Sequence, residues 1–335
     1  MRRSGLWRWS KRVFAVVSSL LVLAICFGTA YQAIASRLFW KIPAPGVRID
    51  VGGHKLHLYC QGQGNPTIVI SPGVGVWSLQ WRRIQDVLSQ NTRTCTYDRS
   101  GYGWSDSGSS APTAAQAAEE LHLLLEGARE RGPYLLVGES YGGYVMRIFV
   151  DKYNRSTAAL VLVESAHERQ WDEIPEAKAL ALQAQTQLRV AEWLSRIGVF
   201  QFFPMDRGED LAPDVRVALV ASQARTQSLV TFGNELAGAF VSAQQAGGTH
   251  SLGALPLIVV SAGHSFDKFF PADERKKAAS LNETWMRLQD ELARLSTNSV
   301  HMVSQAATHG IAREQPQFVV SAIEKALRLS RDAGQ

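Results

Sequence analysis

Three short runs that are almost wholly apolar set the frame for this chain: TIVIS at 67–71, ALVLV at 159–163 and LIVVS at 257–261. A strand with one wet face alternates apolar and polar residues, because successive side chains point to opposite sides. These runs do not alternate, so both of their faces must be covered. That is the condition of a mostly parallel sheet with helices on both faces. The segments between them agree. Helical spacing occurs at 78–90, 113–131 (with Leu121, Leu124 and Leu125 on one side), 143–153, 274–296 and 316–330. Further strands are expected at Thr92–Tyr97, Tyr134–Val137 and Ser299–Ser304. Ahead of them, Val47–Val51 and Lys55–Cys60 flank Gly52-Gly53 and read as an antiparallel hairpin. Residues 167–250 break the rhythm, with helical periodicity, several aromatics (Trp171, Trp193, Phe200, Phe202, Phe203) and no convincing strand. The expectation is one α/β domain over 47–330 carrying a helical cap at about 167–250.

The N-terminal end is of another kind. No charged residue occurs from Val13 to Ser36, and the stretch 13–34 makes roughly 33 Å of helix, enough to cross a bilayer core. Trp7 and Trp9 before it, and Tyr31, Phe39 and Trp40 after it, suit the two membrane interfaces. Arg2, Arg3, Arg8, Lys11 and Arg12 precede it without an acid, so the positive-inside rule places the N-terminus in the cytoplasm and residues 37–335 outside it. Ala33-Ile34-Ala35 also fits a signal-peptide cleavage site, which would release a secreted domain after Ala35. A buried core helix is the third reading. Residues 1–36 are thus read as cytoplasmic head plus anchor, and 37–46, with Pro43, Pro45 and Gly46, as a linker. The chain has 35 basic and 30 acidic residues. The five basic residues of the head account for the whole excess, so no basic face remains for a nucleic acid.

Residues 138–142, Gly-Glu-Ser-Tyr-Gly, fit the G-x-S-x-G nucleophile elbow, between an apolar strand and a helix. The sharp strand-to-helix turn brings backbones so close that glycine is needed on both sides of Ser140. The plainer reading is a serine capping a helix. With GESYGG (138–143), YDRSGYGWSD (97–106) and ATHG (307–310), the chain from about 47 to 330 resembles the α/β-hydrolase superfamily, in its lipase- and esterase-like branch. The segment Asp98–Gly103 resembles the D-x-G-x-G-type turn after that family's fourth strand.

The resemblance implies a Ser, acid, His order along the chain. His54 and His57 lie on the hairpin, His122 on a helix and His301 inside a strand. His309 alone follows the last predicted strand, where catalytic groups of open parallel sheets gather. His250 and His264 are the alternatives. Two acids qualify: Glu164, which ends ALVLV, and Asp267, six residues after LIVVS where the commoner family arrangement has its acid. Glu164 is favoured because it is tethered directly at a strand end. The oxyanion hole is expected from two backbone N–H groups. One is Tyr141, directly after the nucleophile; the other is Val74, in Ser71-Pro72-Gly73-Val74-Gly75, which occupies the place of the family's His-Gly-x motif with Pro72 for the histidine.

The resemblance also implies a strand adjacency that would bring Cys60 beside Cys95, and an exported domain permits a disulfide there. Two buried free thiols are the competing reading, and Cys26 lies within the apolar span.

These parts suit acyl transfer to water. The expected activity is a membrane-anchored carboxylesterase on a small-molecule ester or acyl substrate. Serine, where epoxide-hydrolase and haloalkane-dehalogenase relatives would carry aspartate, argues against both. A serine exopeptidase is a second reading, since GESYGG also resembles the GESY elbow of serine carboxypeptidases. Thioesterase or acyltransferase chemistry shares the residues, and a non-catalytic partner module is the reading of another class. No metal-ligand spacing is visible, and GVG at 73–75 lacks the rest of a nucleotide fingerprint, so no metal or cofactor is expected. The stretch VFQFFPM (199–205) either lines an acyl pocket or packs on the core.

Overall fold

The computed structural model describes residues 3–108, 112–209 and 211–332. It begins with one long helix, α1 (Arg3–Phe39), followed by the hairpin β1 (Val47–Asp50) and β2 (Lys55–Gln61). Strands and helices then alternate: β3 (Thr67–Ser71), α2 (Arg82–Leu88), β4 (Thr94–Asp98), α3 (Ala114–Gly127), β5 (Tyr134–Glu139), α4 (Tyr141–Lys152) and β6 (Thr157–Val163). The cap holds α5 (Gln170–Glu173), α6 (Pro175–Arg196), α7 (Val199–Phe202), α8 (Pro213–Gln223) and α9 (Thr226–Gly247). The alternation resumes with β7 (Leu257–Ala262), α10 (Arg275–Ala293), β8 (Ser299–Ser304), α11 (Ile311–Glu314) and α12 (Pro316–Asp332).

Among the described residues the sheet has eight strands in the order β1-β2-β4-β3-β5-β6-β7-β8. The β1–β2 and β2–β4 pairs are antiparallel, and all later pairs are parallel. Every residue of β3, β4 and β7 is buried, as unbroken apolar runs demand. Alternate side chains of β5 feed two cores. Leu136 joins residues of α3, α4 and α10 on one face, while Leu135 and Val137 join residues of α2 and α12 on the other. Cys60 and Cys95 oppose each other across β2 and β4 and are joined in a disulfide.

The N-terminal helix differs from its expected outline. Nothing before Pro43 breaks it, so it runs through Phe39 into the stretch expected as linker. Its span Trp7–Phe39 is long and apolar enough to cross a membrane, and little of it is buried within the protein. The burial is concentrated at the C-terminal end. Phe39 sits in a core cluster with Trp77 and Trp104, and Tyr31 stacks on Phe202 at 5.3 Å. Tyr31 and Phe39 therefore contact the cap and the sheet domain, where a membrane-interface role was expected.

Candidate active site

The strand ends do the positioning. β5 passes straight into α4 through Ser140, which is held at φ 48° and ψ −116°. An L-residue is strained there, and the crowding around it explains the flanking glycines. A Cβ on Gly138 would lie 2.6 Å from the Gly142 carbonyl oxygen, and one on Gly142 would lie 2.1 Å from that of Ser71. One strand over, β6 ends and the chain turns through Glu164, also at positive φ (45°). His309 lies in the loop between β8 and α11. These three turns open at the same edge of the parallel sheet.

There His309 Nε2 is 3.2 Å from Ser140 Oγ, and His309 Nδ1 is 3.0 Å from Glu164 Oε2. Hydroxyl, imidazole and carboxylate form one hydrogen-bonded chain. Glu164 is fully buried and well supplied with donors. The Ala262 N–H donates to its Oε1 at 2.7 Å, the Ser265 hydroxyl to its Oε2 at 2.8 Å, and the Trp285 indole N–H reaches both oxygens at 3.2 Å. A buried carboxylate needs such partners to stay charged. The His309 ring is 35% exposed and meets Trp285 edge-on. Desolvation acts to lower its pKa. The hydrogen bond and charge of Glu164, assisted by Glu139 and Glu314, outweigh it, and the pKa is raised above the ordinary 6.5.

Asp267, the alternative acid, does not enter this chain. Its carboxylate is exposed, 3.1 Å from His264 Nδ1, and accepts a hydrogen bond from Asn282 at 2.8 Å. The loop after β7 turns that carboxylate outward, while Glu164 needs no loop to reach His309. The remaining histidines are engaged elsewhere. His57 is buried against Asp98 at 2.8 Å, His54 meets Ser100, His167 accepts from the Arg169 N–H, His250 meets Asp151, His301 meets Asp290, and His122 stacks on Tyr153.

Tyr141 is the first residue of α4, so its N–H has no intrahelical acceptor. Val74 lies in the loop after β3, beside Ser140 on the wall of a cavity of about 440 Å³. That loop is tied down by groups sequence reasoning missed. Arg99, buried, donates to the Pro72 and Gly73 carbonyls at 2.6 and 2.7 Å, and to both oxygens of Glu235 on cap helix α9 at 2.5 and 2.9 Å. Glu235 also accepts from the Tyr102 hydroxyl at 2.9 Å, which in turn accepts from the Gly75 N–H at 3.1 Å. Burial works against the Arg99 charge, but Glu235 more than compensates, and its pKa is raised. Glu139, the residue before the serine, sits beneath the same loop. It accepts from the Gly73 N–H at 3.2 Å and from the Trp81 indole at 2.9 Å. Desolvation raises its pKa, against those two hydrogen bonds. Arg99 lies inside the YDRSGYGWSD motif, but nothing local points to a partner 136 residues away.

The cavity beside Ser140 and His309 has mainly apolar walls, including Trp171, Leu180, Phe232, Phe266 and Trp285. None of residues 199–205 lines it. Phe202 and Phe203 are exposed instead, so VFQFFPM supplies neither the pocket wall nor, for those two rings, core packing. Among the described residues, Cys60, Cys95 and Glu130 form the one cluster with metal-ligand geometry. Its two sulfurs are bonded to each other and offer no thiolate.

A family model described as alpha/beta hydrolase fold matches residues 66–291. Over 135 residues, 38% of this chain, the sequence is 33% identical to a protein named a probable transporter from Hormonema carpetanum, and it spans 19% of that protein's length. Among solved structures, a thermophilic esterase from Thermogutta terrifontis superposes with a TM-score of 0.60 at 22% identity, over 86% of this chain and 99% of the other. An epoxide hydrolase from Bacillus megaterium superposes with a TM-score of 0.63 at 17% identity, over 84% and 100%. At these identities the likeness is one of fold.

Proposed function

The chain belongs to the alpha/beta hydrolase fold family, and we propose that within it this is a membrane-anchored serine hydrolase that cleaves carboxylic esters through an acyl-enzyme. The observation that carries the reading is the hydrogen-bonded chain Ser140–His309–Glu164 at the mouth of an apolar cavity. His309 Nε2 takes the Ser140 proton as the oxygen attacks the ester carbonyl, and Glu164 stabilises the imidazolium that forms. The Tyr141 and Val74 N–H groups receive the oxyanion. His309 then protonates the leaving alcohol, and water, deprotonated by the same nitrogen, releases the acid. The proposed domain boundaries are an anchor to residue 39, a hydrolase domain from 47 and a cap within 167–250, a reading that the element order supports.

The nucleophile's chemistry separates this from epoxide opening. Attack of a serine oxygen on an epoxide carbon leaves an ether, which water does not release. Attack on a carbonyl leaves an ester, which it does. Retention of α1 as an anchor is supported by Gln32, buried, which donates to the Ala224 carbonyl at 2.9 Å. Cleavage after Ala35 would remove that contact. The basic head then puts the hydrolase domain on the non-cytoplasmic side. The test is fluorophosphonate labelling of the full chain, followed by hydrolysis of p-nitrophenyl esters of graded length against amino-acid amides and peptides. Labelling that is lost in Ser140→Ala, with ester turnover, is expected. Cleavage of peptides without esters would overturn the proposal in favour of an exopeptidase, and absent labelling would favour a non-catalytic module.

A further inference from the structure

The cap leaves an apolar collar around the anchor. Trp193 is 71% exposed and Phe203 72%, and Val190, Phe202 and Met205 are exposed on the same stretch of chain, from the end of α6 to just past α7. Lone exposed apolar side chains are ordinary, but these five, three of them aromatic, within residues 190–205 are not. Its place is given by packing along α1. A Cβ on Gly28 would lie 2.1 Å from the Ile197 carbonyl oxygen, so the α6–α7 junction lies directly against that point of the helix. Tyr31 then stacks on Phe202, and Phe39 reaches the sheet domain. The α6–α7 end is therefore the part of the cap nearest the free span.

The length of that free span decides what the collar meets. Uncharged helix clear of the cap runs from Val13 to Phe27, which is about 22 Å long. A hydrocarbon core is about 30 Å thick. The missing depth of roughly 8 Å has to come from residues after Gly28, and those residues carry the cap with them. Interfacial helices bury their apolar faces by about 5–10 Å, the same scale. Tryptophan beside arginine is the residue chemistry of that boundary: the Arg196 guanidinium lies 5.3 Å from the Trp193 ring.

Helix α6 joins the collar to the cavity. Ala177, Leu180, Ala181 and Ala184 line the cavity, while Leu182, Val190 and Trp193 lie on the opposite face and are exposed. Val190 and Trp193 lie six and nine residues beyond Ala184, about 9 and 14 Å further along the same helix. Resting on the hydrolase and anchor reading above, we infer that the collar seats in the acyl–headgroup boundary of the membrane that α1 crosses. The site then takes esters whose apolar chain resides in that leaflet.

The test uses the full chain in phosphatidylcholine vesicles. Trp193→Asp and Phe203→Asp change exposed positions, so folding is not at stake. Each should lower hydrolysis of vesicle-embedded p-nitrophenyl palmitate by about tenfold and leave that of aqueous p-nitrophenyl acetate unchanged. In vesicles of bromine-labelled phosphatidylcholine, the fluorescence difference between the unsubstituted chain and Trp193→Phe should be quenched. An unquenched Trp193, or an unchanged palmitate-to-acetate ratio, in a protein that still resists carbonate extraction and still hydrolyses acetate, overturns the collar alone. Extraction by carbonate, or no acetate hydrolysis by the unsubstituted chain, overturns the anchor or hydrolase reading and the collar with it.

Discussion

The Arg99–Glu235 pair makes the most discriminating prediction, because stability and catalysis should respond to it differently. Both side chains are about 3% exposed. Glu235→Leu removes both carboxylate oxygens from a buried guanidinium, and the Tyr102 hydroxyl loses its acceptor. Stranding one member of a buried ion pair costs about 3–5 kcal/mol, a large share of a domain stability of about 5–15 kcal/mol. Adding Arg99→Met removes the stranded charge, so the double variant should recover much of that loss. Catalysis should not recover. The Pro72 and Gly73 carbonyls, which keep Arg99 in the single variant, lose in the double variant the donors that hold the loop carrying Val74. If that loop moves, the loss of one oxyanion donor costs about 10²–10³-fold. Urea unfolding in detergent, followed by tryptophan fluorescence, reads the first quantity; single-turnover acylation by a p-nitrophenyl ester reads the second. A double variant that acylates at the unsubstituted rate would refute the positioning role. A Glu235→Leu chain as stable as its parent would refute the buried pair.

Three further outcomes follow from the same geometry. Glu164→Gln should lower kcat by about 10⁴-fold, whereas Asp267→Asn should leave it nearly unchanged; the reverse order in steady-state kinetics would reassign the acid. Because Glu164 raises the His309 pKa and the reaction needs the neutral imidazole, kcat/KM should fall with acid through an apparent pKa above 6.5. A pH profile with its acid limb below that value would contradict the assignment. The disulfide links residues 35 apart, so Cys60→Ala with Cys95→Ala should destabilise the domain by about 3–4 kcal/mol, as measured by unfolding with and without reductant.

The sheet, the elbow and the apolar span were legible because each is a local pattern. Unbroken runs such as TIVIS and LIVVS require burial on both faces wherever they fall in space. G-x-S-x-G between a strand and a helix specifies a turn through contacts within a few residues, as Gly138 against Gly142 demonstrates. His309 was legible from position, since a loop after a parallel strand opens at a known edge of the sheet.

Contacts between distant segments were not legible in this way. Glu164 and Asp267 both follow strands, and the sequence favoured Glu164 through its tether and through the long loop and unusual spacing before Asp267. Their separation comes from the β7 loop, which carries Asp267 outward to His264 and Asn282. VFQFFPM read as core more readily than as pocket, and the path of the cap around α1 decided that Phe202 and Phe203 face outward. Arg99 and Glu235 meet only because α9 lies over the loop after β3. Local pattern determined which elements form and which edge of the sheet carries the candidate site. The tertiary structure decided which buried charges meet there, because a charge is tolerated in the interior only where a partner from another segment arrives within hydrogen-bond distance.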